Sequence, residues 1–515
     1  MKDEILEGVL AEFEKLAEIP RPSKHEEKIS SYLYQHLASL GFDVTQDKYK
    51  NIIAEIPASE GKENSPLTIL QAHMDMVCVA EEGYNFDSLT SPIKLVRDEK
   101  FLTAEGTSLG ADDGMGIAEI LYITKNFFNG KFENIPYGPL RLIFTVDEEQ
   151  GMSGAININA EHLEDAQFVI NCDSEKFDEI VVGSAGNFRA DFMRKIDFLP
   201  TDEDEDLSEE LKADIAHDLK LIFGDDYVYP ENLIALKIKV GGLRGGHSGD
   251  EIDNNRANAV KVLAKVLNEI NLHGKVKLAH INGGTAMNVI PSTADATILT
   301  ALSIDDVQNI CDEVTAQVKK SFIGEVNLVI GVEAVDKPEK IFSGEDFRST
   351  LDLITLIHSG VYEMSGTDPQ FVMTSANLGM VRTDDKITVQ VMPRSNIDEN
   401  FAELETLYQT IARLTEFNVT FNTYSPAWNF NPDSKLMKIA EEIFKNQNAF
   451  DAQVKILHAG LECSHLIKKN PALDIISIGT TNEFIHSTRE RLHLDTVTPQ
   501  VNLIVEMLRR IACSL

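Results

Sequence analysis

The sequence predicts a two-domain α/β architecture, in which a larger α/β domain is split by an inserted α+β domain of ferredoxin-like order. Three observations carry this. Short, continuous apolar runs such as Leu67-Thr68-Ile69-Leu70-Gln71-Ala72 and Leu140-Arg141-Leu142-Ile143-Phe144-Thr145-Val146 alternate with helical patterns, as expected of strands buried in an α/β sheet. Past residue 186 the strands become half-polar, as in Ile234-Ala235-Leu236-Lys237-Ile238-Lys239-Val240, and follow β-α-β-β-α-β order. Past residue 394 the first style returns. The expected division is residues 1–186 and 395–515 for the α/β domain and 187–394 for the insertion, and 515 residues are ample for both.

Each element has a local reason. Ile5, Val9, Leu10, Phe13, Leu16 and Ala17 recur at helical spacing, and Pro20 and Pro22 close that helix. Ser23-Lys24-His25-Glu26 has the pattern of a capping box before a second helix through Leu40. Gly41 to Asp47 turns and alternates like a strand, and further strands are expected over 51–57, 67–72, 140–146 and 166–172. A polar segment follows the third, and Gly110-Ala111-Asp112-Asp113-Gly114-Met115-Gly116 then opens a helix. The run Asp202-Glu203-Asp204-Glu205-Asp206 reads as a solvated acidic loop. In the insertion, strands over 234–240, 275–279, 294–299 and 327–332 surround helices over 258–270 and 305–322, with a glycine-rich loop at 241–249. Beyond it come a helix over 401–414, strand 418–424, helix 433–446, strand 472–479 and a last helix from about 498.

Composition narrows the function. A net charge of −36 disfavours nucleic acid and anionic membrane surfaces as partners, and favours cations in any acidic cleft. Five cysteines, an odd number with no CxxC, read as free thiols in a reducing compartment. The N-terminus is an amphipathic acidic helix, not a signal peptide, and no apolar run is long enough to span a bilayer. The expected location is cytoplasmic.

Chemistry collects at the carboxyl ends of the predicted strands, where α/β sheets bind ligands. His73-Met74-Asp75 follows one strand, Asp147-Glu148-Glu149 another and Asp173 a third. Alone, each is weak: a DEE tripeptide commonly marks a charged turn, and a lone His at a strand end is commonly structural. Together with Asp112 and His486 they offer two imidazoles and several carboxylates, a set suited to a pair of zinc-like ions. In such sites one carboxylate bridges and a carboxylate not spent on metal can serve as general base. Asp75, two residues past His73, is placed to orient that imidazole.

The stretches AHMDMV (72–77), GADDGMG (110–116), FTVDEEQGMSGA (144–155), INCDSE (170–175), GGLRGGHSG (241–249), GGTAMNVIP (283–291), HAGLECSHL (458–466) and IHSTRERLHL (485–494) occur in this order along nearly the whole chain. In them the sequence resembles the M20 metallopeptidases, most closely the aminoacyl-histidine (Xaa-His) dipeptidases of PepD type. The resemblance implies an α/β catalytic domain with an inserted lid and dimerisation domain, and hydrolysis of unblocked dipeptides, Xaa-His or broader, by water activated between two divalent ions. An N-acyl-amino-acid deacylase or a tripeptidase is the alternative. It implies that His73 and Asp173 bind one ion and Glu149 and His486 the other, with Asp112 bridging before a cis peptide bond. Glu148 would be the general base and Asp75 the support of His73. On the lid, His247 would stabilise the oxyanion, and Asn288 and Arg394 would grip the substrate carboxylate. Zn²⁺ suits these ligands, and Mn²⁺ or Co²⁺ would also fit. Expected partners are a small peptide and, through the lid, a second copy of the chain.

Two departures stand out. Asp113 occupies a position where the resembled proteins usually carry Asn, and Gly479-Thr480-Thr481-Asn482-Glu483-Phe484-Ile485-His486 lacks the Pro and Arg usual before the last His. The second bears on substrate preference more than on metal binding, because His486 is kept. His458, Glu462 and Cys463 receive no chemistry from the sequence; structural support is the expectation, with Glu462 also a candidate to line a specificity pocket.

Overall fold

The computed structural model describes residues 3–201, 233–274, 276–366, 371–448 and 451–514. The acidic run 202–206 lies outside them. The chain divides into two compact units, Met1–Ser184 with Pro426–Leu515, and Ala185–Ser425.

The first unit is built on an eight-stranded sheet. Its order is Asp43–Gln46, Ile52–Ile56, Leu140–Thr145, Thr68–His73, Phe168–Asn171, Asp474–Ser477, Glu179–Ser184 and Gln453–Leu457. The four central strands run parallel. Every residue of Thr68–His73 and Leu140–Thr145 is buried, which explains why these strands read as unbroken apolar runs. Successive side chains serve opposite faces. Leu70, Ala72, Leu142 and Phe144 pack against helices including Glu4–Ala17, Ala111–Asn129 and Val497–Ser514. Ile69, Ile143 and Val169 face the other way, toward Leu163 and Leu466. Parallel strands put their carboxyl ends on one edge, so residues just past His73, Thr145 and Asn171 are neighbours.

The polar segment after Met76 holds structure that periodicity did not show. Leu95–Arg97, Phe101–Ala104, Arg491–His493 and Asn482–Glu483 form a four-stranded antiparallel sheet. The capping box predicted at Ser23 is also corrected. The second helix, Glu27–Ser39, has Glu26 at its N-cap and no side-chain cap. The Ser23 hydroxyl bonds Asp75 instead, and Glu26 Oε1 accepts from the backbone N–H groups of Lys24 and Asp147 at 2.7 and 3.1 Å. A tertiary carboxylate and a tertiary N–H outcompete the local cap.

In the second unit, Val329–Ala334, Ile234–Gly241, Ala294–Thr300 and Val276–Gly283 lie side by side and antiparallel, with the helices Ala259–His273 and Ile304–Ser321 between them in sequence. This is the expected ferredoxin-like order. The sheet continues through Val372–Thr383, Lys386–Ser395, Gly186–Lys195 and Asn418–Ser425. The expected end at residue 394 is therefore too early. Asn418–Ser425 pairs with Gly186–Lys195, and Phe401, Leu404, Tyr408 and Ile411 of the helix Glu399–Leu414 fill the same core, so the unit runs to Ser425. An amphipathic helix and an alternating strand look alike on either sheet, which is why the sequence style misled.

Candidate metal centre

All seven residues expected to bind metal or support it lie in the first unit, and the fold brings them together. His73 is the last residue of its strand. Asp147 adopts a left-handed conformation (φ 59°) and turns the chain from Leu140–Thr145 into the short helix Glu148–Gly151, so Glu148 and Glu149 stand in its first turn. Asp173 lies two residues past Phe168–Asn171. Asp112 follows Gly110, itself left-handed at φ 72°, and the Asp112–Asp113 peptide is cis. A Cβ at Gly110 would lie 2.6 Å from Met76 Sδ and 2.8 Å from Arg21 Nη2, so only glycine fits there. His486 comes from the far end of the chain, past the strand Asn482–Glu483.

The geometry has two poles joined by one carboxylate. His73 Nε2 lies 3.0 Å from Asp112 Oδ1 and 3.3 Å from Asp173 Oδ1. His486 Nε2 lies 3.1 Å from Asp112 Oδ2 and 2.8 Å from Glu149 Oε2. Each oxygen of Asp112 thus faces a different imidazole. Ligand atoms of His73, Asp113 and Asp173, and of His73, Asp112 and Glu149, fall within 4.8 Å of one another. Asp113 enters the first set, but its two oxygens already accept from the N–H groups of His73 and Gly116, both at 3.2 Å, and it holds backbone in place.

The electrostatics suit cations. Burial pushes Asp173 up to about 7. Burial and the neighbouring carboxylates push Glu148 well up, and Glu149 up as well. Against burial, the Asp112 and Glu149 carboxylates push His486 up to about 11, and Asp173 and Asp112 push His73 well above its ordinary value. Carboxylates raised by burial and crowding beside imidazoles raised by carboxylates mean that the site holds more negative charge than its own rings neutralise. Glu149 Oε1 is buried with no hydrogen-bond partner. These donors, with N and O ligands only and a buried oxygen left over, fit divalent ions.

Asp75 ties the site together. It is fully buried, and its Oδ1 lies 3.4 Å from His73 Nδ1. Its two oxygens accept from the N–H groups of Glu148 and Glu149 at 2.9 and 3.2 Å. Despite burial, His73, the Glu148 N–H and the Ser23 hydroxyl hold it below its ordinary value. One side chain therefore sets the imidazole and the first turn bearing both glutamates.

Glu462 does not line an open pocket. It is fully buried beneath the strands, with Oε2 accepting from Gln71 Nε2 and Thr145 Oγ1, both at 2.6 Å. Asn171 bonds Gln71 at 2.6 Å, and its own carbonyl oxygen accepts from Asp173 N–H at 3.3 Å, so the network links all three strand ends. Cys463 is fully buried with its thiol pushed well up by burial. Sequence reasoning missed Arg21, Gln71 and Glu490. Glu490 stands four residues past His486 and Arg21 sits between two prolines, but no local pattern distinguishes either.

The lid candidates lie in the second unit. Gly246–His247 pairs with Val289–Ile290, and Ser248 N–H donates to Asn288 carbonyl at 2.9 Å, so His247 and Asn288 are adjacent. Asp250 Oδ2 sits 3.0 Å from His247 Nδ1. Arg394 is buried, burial lowers it to about 10, and its Nε has no hydrogen-bond partner; the charge of Asp250 reaches it. A buried guanidinium whose Nε lacks a partner keeps a donor free for an anion.

Residues 69–510 match the model of peptidase family M20/M25/M40. The chain belongs to this family. The cytosol non-specific dipeptidase of Escherichia coli (strain K12) is 30% identical over 502 residues, covering 97% of this chain and 96% of that one. The crystal structure of an aminoacylhistidine dipeptidase from Vibrio alginolyticus superposes with a TM-score of 0.80 at 29% identity, covering 98% of each chain. An aminopeptidase PepT from Bacillus cereus, at 16% identity and a TM-score of 0.55, shares the fold. The chain is a hydrolase of the M20 kind, and the two-domain α/β architecture is that of its relatives. Among the described residues, no helix is long and apolar enough to cross a membrane.

Proposed function

We propose that this protein is a metal-dependent dipeptidase that hydrolyses the peptide bond of unblocked dipeptides, Xaa-His or broader. The observation that carries the reading is Asp112, whose two oxygens face His73 at 3.0 Å and His486 at 3.1 Å. His73 and Asp173 would hold one divalent ion, Glu149 and His486 a second, and Asp112 both; Zn²⁺ suits the set. When bound, such a pair supplies Lewis-acid polarisation of the scissile carbonyl, a lowered pKa for the attacking water and a field that favours ionised Glu148.

The remaining work falls to side chains. Glu148, on the same first turn as Glu149 but outside the ligand set, takes the proton from water and passes it to the leaving amine. Asp75 keeps that turn and the His73 ring in register. His247 would support the developing oxyanion, and Asn288 and Arg394 the free carboxylate of the dipeptide. The names of these two relatives, one non-specific and one for aminoacylhistidine, support dipeptides as substrates. Five free cysteines support a reducing, cytoplasmic location. Exposed Ile323, Val326 and Val329 on the second unit support pairing of two copies through it, which light scattering would test.

The test of function is a panel of free dipeptides, with Xaa-His set against Xaa-Gly and Xaa-Leu, beside tripeptides and N-acetyl amino acids, using the Zn²⁺-loaded enzyme. Turnover of dipeptides is expected. Efficient turnover of N-acetyl amino acids without dipeptides would assign a deacylase instead.

A further inference from the structure

The loop that carries Asp112 is gripped from both sides by buried charged groups that the reaction does not use. Glu490 is 3% exposed. Its Oε2 accepts from the N–H groups of Leu109 and Gly110 at 2.8 and 3.0 Å, and its Oε1 from that of Ala111 at 2.8 Å. These are the three residues before Asp112. On the other side, Arg21 is 1% exposed. Its Nη2 donates to the Gly110 carbonyl at 2.6 Å, and its Nη1 to the carbonyls of Met74 and Asp75 at 3.1 and 3.2 Å.

We infer that Glu490 and Arg21 are positioning residues that hold the Asp112 loop in its bridging place before any ion binds. Arg21 locks the loop to the chain just past His73. Glu490 locks it to the segment that carries His486, four residues upstream. The two imidazoles flanking Asp112 are thereby registered to it by one clamp arm each, across 89 residues of chain for Arg21 and Gly110 and 380 for Gly110 and Glu490. The charges suit their tasks: a carboxylate has only acceptors for three N–H groups, and a guanidinium only donors for three carbonyls. Glycine at 110 leaves room for Arg21, and a Cβ at Gly114 would collide with the same guanidinium.

The inference rests on the two-ion reading above, and Co²⁺ titration of the metal-free protein separates the two. Wild type should bind two Co²⁺ ions with distinct visible spectra. In Glu490→Gln no amide orientation satisfies all three N–H groups, because the NH₂ group must face one of them. The ion on the His486 side should bind roughly 10–100-fold more weakly, with the His73-side ion little changed. An unaltered second isotherm and spectrum, even with a lowered melting temperature, overturns the clamp and leaves Glu490 structural. Failure of wild type to bind two ions overturns the two-ion reading itself. Hydrogen exchange on metal-free wild type needs no variant: the amides of Leu109, Gly110 and Ala111 should exchange slowly, and fast exchange contradicts a loop held in advance.

Discussion

The two poles of the candidate centre are made differently. His73 is 1% exposed, sits on a strand end and is backed by Asp75; His486 is 44% exposed, sits in a turn and depends on a segment returning from the end of the chain. Asp173 and Glu149 share the sheet edge, so the contrast lies in the imidazoles. One half of the site is part of the core of the sheet. The other is closed onto it by Asp112 and, on our inference, by Glu490. A buried pole fixes position, and an accessible pole leaves room for substrate and water.

The largest expected effect tests what the poles share. Glu148→Gln should lower kcat by about 10²–10⁴-fold, as for loss of a general base, with two ions still bound by elemental analysis. Loss of both ions in that variant would instead make Glu148 a ligand and redraw the buried pole.

Next comes the contrast itself. In metal-free protein, His73→Ala removes a buried partner of Asp112 and Asp173 and should destabilise by about 3–5 kcal/mol in denaturant unfolding. His486→Ala removes an accessible ring and should cost under about 1 kcal/mol. Equal losses would break the distinction.

Loading should be linked to protons. The Asp112 and Glu149 carboxylates push His486 up to about 11, so at about pH 8 that ring carries a proton that an incoming ion displaces, and carboxylates hold His73 well above its ordinary value in the same sense. Asp173, raised to about 7, adds another as the pH falls below that value. Affinity for Zn²⁺ should therefore weaken as pH drops through 7, and calorimetry in buffers of different ionisation heat should show protons released on loading at the higher pH, including one from His486. A pH-independent affinity would contradict the assignment of the rings.

The smallest effect concerns Asp113. Its oxygens accept from the N–H groups of His73 and Gly116, and Asp113→Asn loses one of these bonds, about 1 kcal/mol or roughly fivefold in kcat/KM. A loss near that of Glu148→Gln would promote Asp113 from a backbone anchor to a ligand.

Much of the candidate site was legible because its candidate ligands announce themselves locally. His73, Glu148, Glu149 and Asp173 each follow an apolar run that ends in a turn, and parallel strands bring such ends together. The groups that hold these candidates in place were not legible. Ser23 and Glu26 read as a local cap, yet they serve Asp75 and Asp147. Arg21 and Glu490 act on backbone far away in sequence, and no periodicity encodes which N–H or carbonyl a buried charge will meet. The same holds for the end of the insertion, where the partner of Asn418–Ser425, not its own pattern, decides the unit.

Anomalous diffraction from crystals of the Zn²⁺-loaded protein tests the bridge most directly. Two peaks about 3.5–4 Å apart are expected, one against His73 and Asp173, the other against Glu149 and His486, with Asp112 between. A single peak, or a pair that Asp112 does not touch, would contradict the bridge.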